Sequence, residues 1–316
     1  MISRRRLLAF LPPTLIFCNS AAVANGIGRD SHVLLPNGRR LGLSEYGASS
    51  GTVVLYLHGT PSCRLEAGLL ASIAESCNVR LIAIDRPGMG NSTYYSFDQD
   101  SYAADVAGLI ESLRTQTGQR RFGVLAMSGG TSYGLACGQL LPNDLSAIAI
   151  LAPRTPFAPG VPITALDEQL KIANKMPRLT GWFLKRQLRL ARRNSDRAAQ
   201  QQLRAFSAVD QQFMKLNAET FREIFIEAAK CGTSGVQSDF DNIRWPWNCC
   251  MQQIHLPVAI YRGGLDITSP IETTQFLQRS LPDSRSFTFP KDGHFTLTQS
   301  ASSEALRWLA SHADLS

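Results

Sequence analysis

Charge is sparse in this chain: Asp, Glu, Lys and Arg together make up 18% of its 316 residues. There is no dense Lys/Arg stripe with interleaved aromatics, so a nucleic-acid-binding surface is not indicated. Past the N-terminal segment no apolar run is long enough to span a bilayer, which argues against an integral membrane protein. Internal repeats and low-complexity linkers are absent. Histidine is rare, with five residues. The seven cysteines show no zinc-ligand spacing. What remains is a hydrophobic share of 44%, ordinary for a globular protein and too high for intrinsic disorder as the main state. The length suits one large α/β domain carrying an insertion.

The first 24 residues contain Arg4, Arg5 and Arg6 and no acid; setting these three arginines aside takes the net charge from +7 to +4. Leu7 to Phe17 is apolar and interrupted by Pro12 and Pro13, and Ala22-Val23-Ala24 is a small-x-small cleavage pattern. Residues 1–24 therefore read as an export signal, with the mature chain starting near Asn25. Paired arginines followed by Leu-Leu resemble a bacterial twin-arginine signal, so a periplasmic or secreted location is expected. No stable membrane insertion is expected once the signal is removed. Cys63, Cys77, Cys137, Cys231, Cys249 and Cys250 remain in the mature chain, and the spacing does not choose a disulfide pairing among them.

His32–Leu35 and Arg40–Tyr46 flank Pro36-Asn37-Gly38, a hairpin signal. A strand–helix rhythm follows. Thr52–Leu57 (TVVLYL), Arg80–Ile84, Phe122–Ala126 and Leu145–Leu151 are continuous apolar runs, as in strands buried on both faces. Helical spacing appears at Arg64–Cys77, Ser101–Arg114 and Thr131–Leu141. From about Thr155 to Trp247 the spacing is helical throughout. The rhythm then resumes with strands at Val258–Tyr261 and Arg285–Phe289 and helices at Ile271–Leu281 and Ser303–His312. This order predicts a mainly parallel sheet of eight strands with helices on both faces. Residues 25–154 and 248–316 form its core and 155–247 a helical insertion. The insertion is basic: residues 160–235 hold 13 Lys/Arg against 7 Asp/Glu. Such a stretch is first of all a solvated helical face, and secondarily a lure for anionic substrates.

The sharpest local signal is Ala126-Met127-Ser128-Gly129-Gly130, placed between a buried strand and a helix rich in small residues. A serine on such a turn is held in a strained conformation above the sheet, and small neighbours let strand and helix approach. Its hydroxyl needs a base. His294 lies in the loop after the last strand, at the strand ends where ligands bind in open α/β sheets. His32, His255 and His312 fall elsewhere. Asp266 follows the strand at 258–261 and reaches the same edge, where a carboxylate would fix the imidazole tautomer. Asp292 is close to His294 in sequence, but neighbours in a tight loop face each other poorly. The Gly129 backbone N–H, and that of Thr60 in the loop His58-Gly59-Thr60-Pro61, are candidate donors to an oxyanion. His58 reads as a structural residue that ties neighbouring loops together.

His58-Gly59-Thr60-Pro61, Asp85-Arg86-Pro87-Gly88-Met89-Gly90-Asn91-Ser92, the Ser128 turn, Asp266 and His294 together resemble the α/β-hydrolase superfamily. The "HG-x-P / DRPG-x-G-x-S" pair resembles its capped branch, which includes esterases, prolyl iminopeptidases, cofactor-free haloperoxidases, epoxide hydrolases and haloalkane dehalogenases. The resemblance implies an α/β-hydrolase fold, a helical cap and structural roles for Asp85 and Arg86. Three departures narrow it. A serine stands where epoxide hydrolases and dehalogenases of this branch use aspartate. The Ser128 turn lacks the Gly-Gly-Ser-Trp-Gly pattern of the iminopeptidases. Ser62 also replaces a glycine common after "HG-x-P", which bears on the second oxyanion donor. The expected activity is cleavage of a small-molecule carboxylic ester or similar acyl compound by Ser128, Asp266 and His294, with no metal and no cofactor. A haloperoxidase or perhydrolase using the same three residues is the alternative, and a binding protein on a degenerate scaffold the non-enzymatic one. Cap aromatics, among them Trp182, Phe183, Phe206, Phe213, Phe221 and Phe225, would roof an apolar pocket.

Overall fold

Apolar runs with no polar interruption need cover on both faces, and the chain supplies it. The computed structural model describes residues 28–35, 37–193 and 203–313; the expected leader at 1–24 lies outside them. The strands are β1 (Arg29–Leu34), β2 (Arg40–Gly47), β3 (Thr52–Leu57), β4 (Val79–Ile84), β5 (Phe122–Met127), β6 (Leu145–Leu151), β7 (Val258–Gly263) and β8 (Ser284–Phe289). They form one sheet in the order β1-β2-β4-β3-β5-β6-β7-β8. β2 pairs antiparallel with β1 and β4, and every other pairing is parallel. The expected eight-stranded, mainly parallel sheet is thus present.

The helices, in chain order, are α1 (Ala71–Ser76), α2 (Gln99–Thr117), α3 (Gly130–Leu140), α4 (Ala165–Lys175), α5 (Pro177–Arg192), α6 (Ala208–Leu216), α7 (Ala218–Ala228), α8 (Ser234–Asn242), α9 (Ile271–Ser280) and α10 (Leu297–Ser311). Alternation along each strand divides the core into two layers. Val53, Leu55 and Leu57 of β3 join Val106, Leu109 and Leu135 of α2 and α3. Val54 and Tyr56 point the other way and join Ala301, Leu306 and Leu309 of α10. Each such large aliphatic side chain contributes roughly 1.5–3 kcal/mol through burial, and β3, β5 and β6 at the centre of the sheet carry no charged residue.

Two elements differ most from the sequence pattern. The segment expected as one helix at 64–77 opens with a 3₁₀ stretch, Arg64–Leu70. Its polar residues are drawn to buried partners: the Arg64 backbone N–H donates to Asp85 Oδ1 (2.8 Å), and Glu66 Oε2 accepts from Gly59 N (2.7 Å). The last helix starts six residues earlier than its apolar spacing suggests. Leu297, Thr298 and Ala301 are buried and extend the inner stripe of Ala305 and Leu309, while Gln299 and Ser300 face outward. All six cysteines of the described residues are free thiols. Among these residues no helix is long and apolar enough to cross a membrane.

Candidate active site

β5 ends at Met127 and α3 begins at Gly130, so the chain must reverse within two residues. Ser128 makes this turn at φ +51°, a left-handed conformation that costs roughly 1–2 kcal/mol for an L-residue with a Cβ. Its backbone is clamped: Ser128 N donates to Leu151 O (2.9 Å), and its carbonyl accepts from Thr131 N and Thr131 Oγ1. The following glycines are demanded by crowding. A Cβ on Gly129 would lie 2.3 Å from Thr60 Oγ1, and one on Gly130 would lie 2.4 Å from Leu57 O. The side chain of Ser128 is therefore projected above the carboxyl edge of the sheet, where the loops after β3, β7 and β8 also converge.

The loop after β8 carries His294, and its Nε2 lies 2.9 Å from Ser128 Oγ. The loop after β7 carries Asp266, whose Oδ2 accepts from His294 Nδ1 at 2.7 Å. All three side chains are at least nine-tenths buried. Asp266 Oδ1 accepts from Thr268 N (2.8 Å), Thr268 Oγ1 (2.7 Å) and Ser269 N (3.0 Å). Burial alone would raise this carboxyl, but the His294 ring and the Thr268 donors outweigh it and hold it below its ordinary value. Asp266 stays a carboxylate and sets Nδ1 of His294 as the protonated nitrogen, which leaves Nε2 free to accept from Ser128. The Asp292 backbone bonds to Leu265 N and Phe289 O, and its side chain is not a partner of His294, whose Nδ1 faces Asp266.

A narrow, mostly apolar cavity opens on these groups. Thr60, Ser128, Gly129 and His294 line it, so four of the five residues nominated from sequence share this cavity and Asp266 backs the histidine. Leu166 and Leu170 of α4, Phe206, and Phe240 and Ile243 around α8 supply its apolar lining. Of the aromatic residues expected to roof it, Phe206 does so. Phe221 and Phe225 are core residues, and Trp182 is half exposed. His58 is fully buried, with Nδ1 near Gly59 O and Nε2 accepting from Arg86 N. Burial, then the neighbouring Arg86 charge, push it well below the usual histidine range, so it is a neutral structural ring.

Four polar residues here escaped sequence reasoning. Glu66 lines the cavity, and its Oε2 accepts from Gly59 N and Tyr56 Oη; burial pushes its carboxyl above the ordinary value. Arg154, also lining the cavity, pairs with Asp167 of α4. Asp239 of α8 accepts from Arg86 Nη2, Thr60 Oγ1 and Tyr133 Oη, each at 2.8 Å. Asp210 of α6 accepts from the backbone of the histidine loop. Ser207-x-x-Asp210 has the spacing of a helix start, and that reading hides its second use. Among the described residues no group of three or more His, Cys, Asp or Glu could hold a metal ion.

A model described as the alpha/beta hydrolase fold matches residues 52–301. A bifunctional esterase/perhydrolase of Acinetobacter calcoaceticus is 32% identical over 129 residues, which are 40% of this chain and 45% of that protein. The chain thus spans less than half the length of that curated relative. An esterase from Exiguobacterium antarcticum superimposes with a TM-score of 0.65 at 18% identity over 90% of this chain and 100% of the other. A thermophilic esterase from Thermogutta terrifontis gives 0.63 at 19% over 90% and 99%. An enol-lactonase from Burkholderia xenovorans gives 0.63 at 14% over 88% and 97%. At these identities the solved structures speak for the fold alone.

Proposed function

The chain belongs to the α/β-hydrolase fold family, and on that premise we propose that it is a serine hydrolase cleaving a small-molecule carboxylic ester or related acyl bond. The observation that carries this reading is the unbroken relay from Asp266 Oδ2 to His294 Nδ1 (2.7 Å) and from His294 Nε2 to Ser128 Oγ (2.9 Å).

In the proposed cycle His294 Nε2 takes the hydroxyl proton as Ser128 Oγ attacks the substrate carbonyl, and Asp266 stabilises the imidazolium that forms. The carbonyl oxygen becomes an oxyanion beside the Thr60 and Gly129 backbones. Each preorganised donor there is worth roughly 3–4 kcal/mol of barrier, and the N-terminus of α3 favours the same charge. His294 then returns its proton to the leaving alcohol, which departs and leaves an acyl group on Ser128. A water, deprotonated by His294, clears the acyl group and restores the hydroxyl. The apolar wall of Leu166, Leu170, Phe206 and Phe240 suits an aliphatic or aromatic acyl chain.

A fluorophosphonate probe tests the reading. It should label the native protein and fail on Ser128→Ala, with ester turnover falling by roughly 10⁴–10⁶. An unlabelled native protein refutes it. The partial likeness to an esterase/perhydrolase favours one second activity, peracid formation on the same serine. Adding hydrogen peroxide to the ester assay and scoring peracid-dependent halogenation separates the two.

A further inference from the structure

We propose that Asp210, carried by α6 between β6 and β7, is a positioning residue for His294. This rests on the serine-hydrolase reading above. The histidine sits in a short loop, residues 293–296, just ahead of α10. Backbone N–H groups at a helix start have no intrahelical acceptor and need one from elsewhere. Gly293 N finds Thr296 Oγ1 nearby, at 2.8 Å. The next three all donate to one carboxylate: His294 N to Asp210 Oδ2 (2.7 Å), and Phe295 N and Thr296 N to Asp210 Oδ1 (2.7 and 3.2 Å). Asp210 is 84 residues away in sequence and 0% exposed. Ser207 Oγ donates to its Oδ2 at 2.6 Å and fixes the carboxylate rotamer.

Among the described residues no Lys or Arg pairs with Asp210, so its charge is met by these N–H groups and the Ser207 hydroxyl. Charge-assisted bonds of this kind are about twice as strong as neutral ones, and a negative charge at a helix N-terminus adds to them. The loop is built to admit the carboxylate. A Cβ on Gly293 would lie 2.1 Å from Asp210 Oδ2 and 2.5 Å from Ser207 Oγ, so glycine precedes the histidine because the carboxylate of α6 occupies that space. Packing repeats the connection: Phe206 contacts the His294 and Phe295 rings at centroid distances of 6.2 and 5.2 Å, and Phe221 of α7 contacts Phe295 at 4.9 Å.

The helical segment is therefore more than a roof over the pocket. It supplies the acceptor that holds the His294 backbone, and with it the direction in which Nε2 meets Ser128. Asp266 orients the ring from its far nitrogen, while Asp210 holds the chain from which the ring hangs. Misplacing a reacting group by about 1 Å costs roughly 10²-fold in rate, so losing this hold should act on turnover and not on substrate affinity.

The test compares native protein with Asp210→Ala and Asp210→Asn on p-nitrophenyl butyrate, with functional sites counted by fluorophosphonate titration. The expected result is a kcat per titrated site lowered roughly 10–100-fold in Asp210→Ala, with KM within about threefold. Asp210→Asn should be intermediate, because one oxygen still serves Phe295 and Thr296 while His294 N loses its acceptor. A purely structural role predicts a lower melting temperature with native kcat per titrated site, and that outcome overturns the proposal. Should Asp210→Ala not fold, Asp210→Asn decides by the same criterion. Native protein with neither labelling nor ester turnover would sink the hydrolase reading itself, an outcome distinct from an active native enzyme whose Asp210 variants are unimpaired.

Discussion

Replacing Asp239 by alanine should both destabilise the fold and slow turnover. Arg86 and Asp239 are both 0% exposed and pair at 2.8 Å. The guanidinium also holds the β3–α1 loop, donating to His58 O (2.7 Å), Gly59 O (2.5 Å) and Thr60 Oγ1 (3.1 Å). Removing the carboxylate strands a buried charge, at a cost of roughly 3–5 kcal/mol. It also strips an acceptor from Tyr133 Oη and Thr60 Oγ1. Against a typical total of about 5–15 kcal/mol, that is a large share, and at roughly 2–4 °C per kcal/mol for a domain approaching this size the melting temperature should fall by about 6–20 °C. The loop bearing Thr60 loosens as well, so kcat should drop roughly tenfold or more at temperatures where the variant is folded, by weakening one proposed oxyanion donor. Urea unfolding, together with ester kinetics well below the transition, measures both effects. Replacing the pair together, as Arg86→Met with Asp239→Leu, should recover part of the stability but not the rate, because the loop still lacks its grip. The reasoning fails if Asp239→Ala unfolds within about 1 kcal/mol of native and keeps kcat within twofold.

The strain at the Ser128 turn should be measurable by comparing two variants that lack its hydroxyl. Ser128→Gly should be more stable than Ser128→Ala by roughly 0.5–1 kcal/mol, since relief of the left-handed strain at φ +51° exceeds the extra chain entropy of glycine; equal or reversed stabilities in urea contradict this. Asp266 supplies a pH signature. Its carboxyl lies below the ordinary 3.8 when folded, so its contribution to stability is complete above about that pH and is lost as pH falls through the lower folded value. The melting-temperature gap between native protein and Asp266→Asn should therefore shrink on acidification below about pH 4. A gap that widens in acid shows that the carboxylate is not held by His294 and Thr268.

Much of this protein is decided locally. TVVLYL and LSAIAIL cannot sit at a surface, so they dictate interior strands whatever surrounds them. The Ser128 turn is equally local: a strand, one non-glycine residue and two glycines leave few backbone paths. The placement of Asp266 and His294 follows from chain order, because parallel strands joined by helices deliver every strand-to-helix loop to one edge of the sheet. The partners that hold those loops could not be read the same way. Ser207-x-x-Asp210 satisfies the pattern of a helix cap and satisfies it in the fold too, yet the same carboxylate receives three N–H groups from residues 294–296. Asp239 belongs to an amphipathic helix and meets Arg86 across 153 positions. Local spacing carries no information about which helix docks on which loop, since that depends on the total apolar area buried when the segment between β6 and β7 settles on the sheet. Residue order alone determined the scaffold and the edge at which Ser128, Asp266 and His294 meet, while tertiary packing decided what keeps them in place.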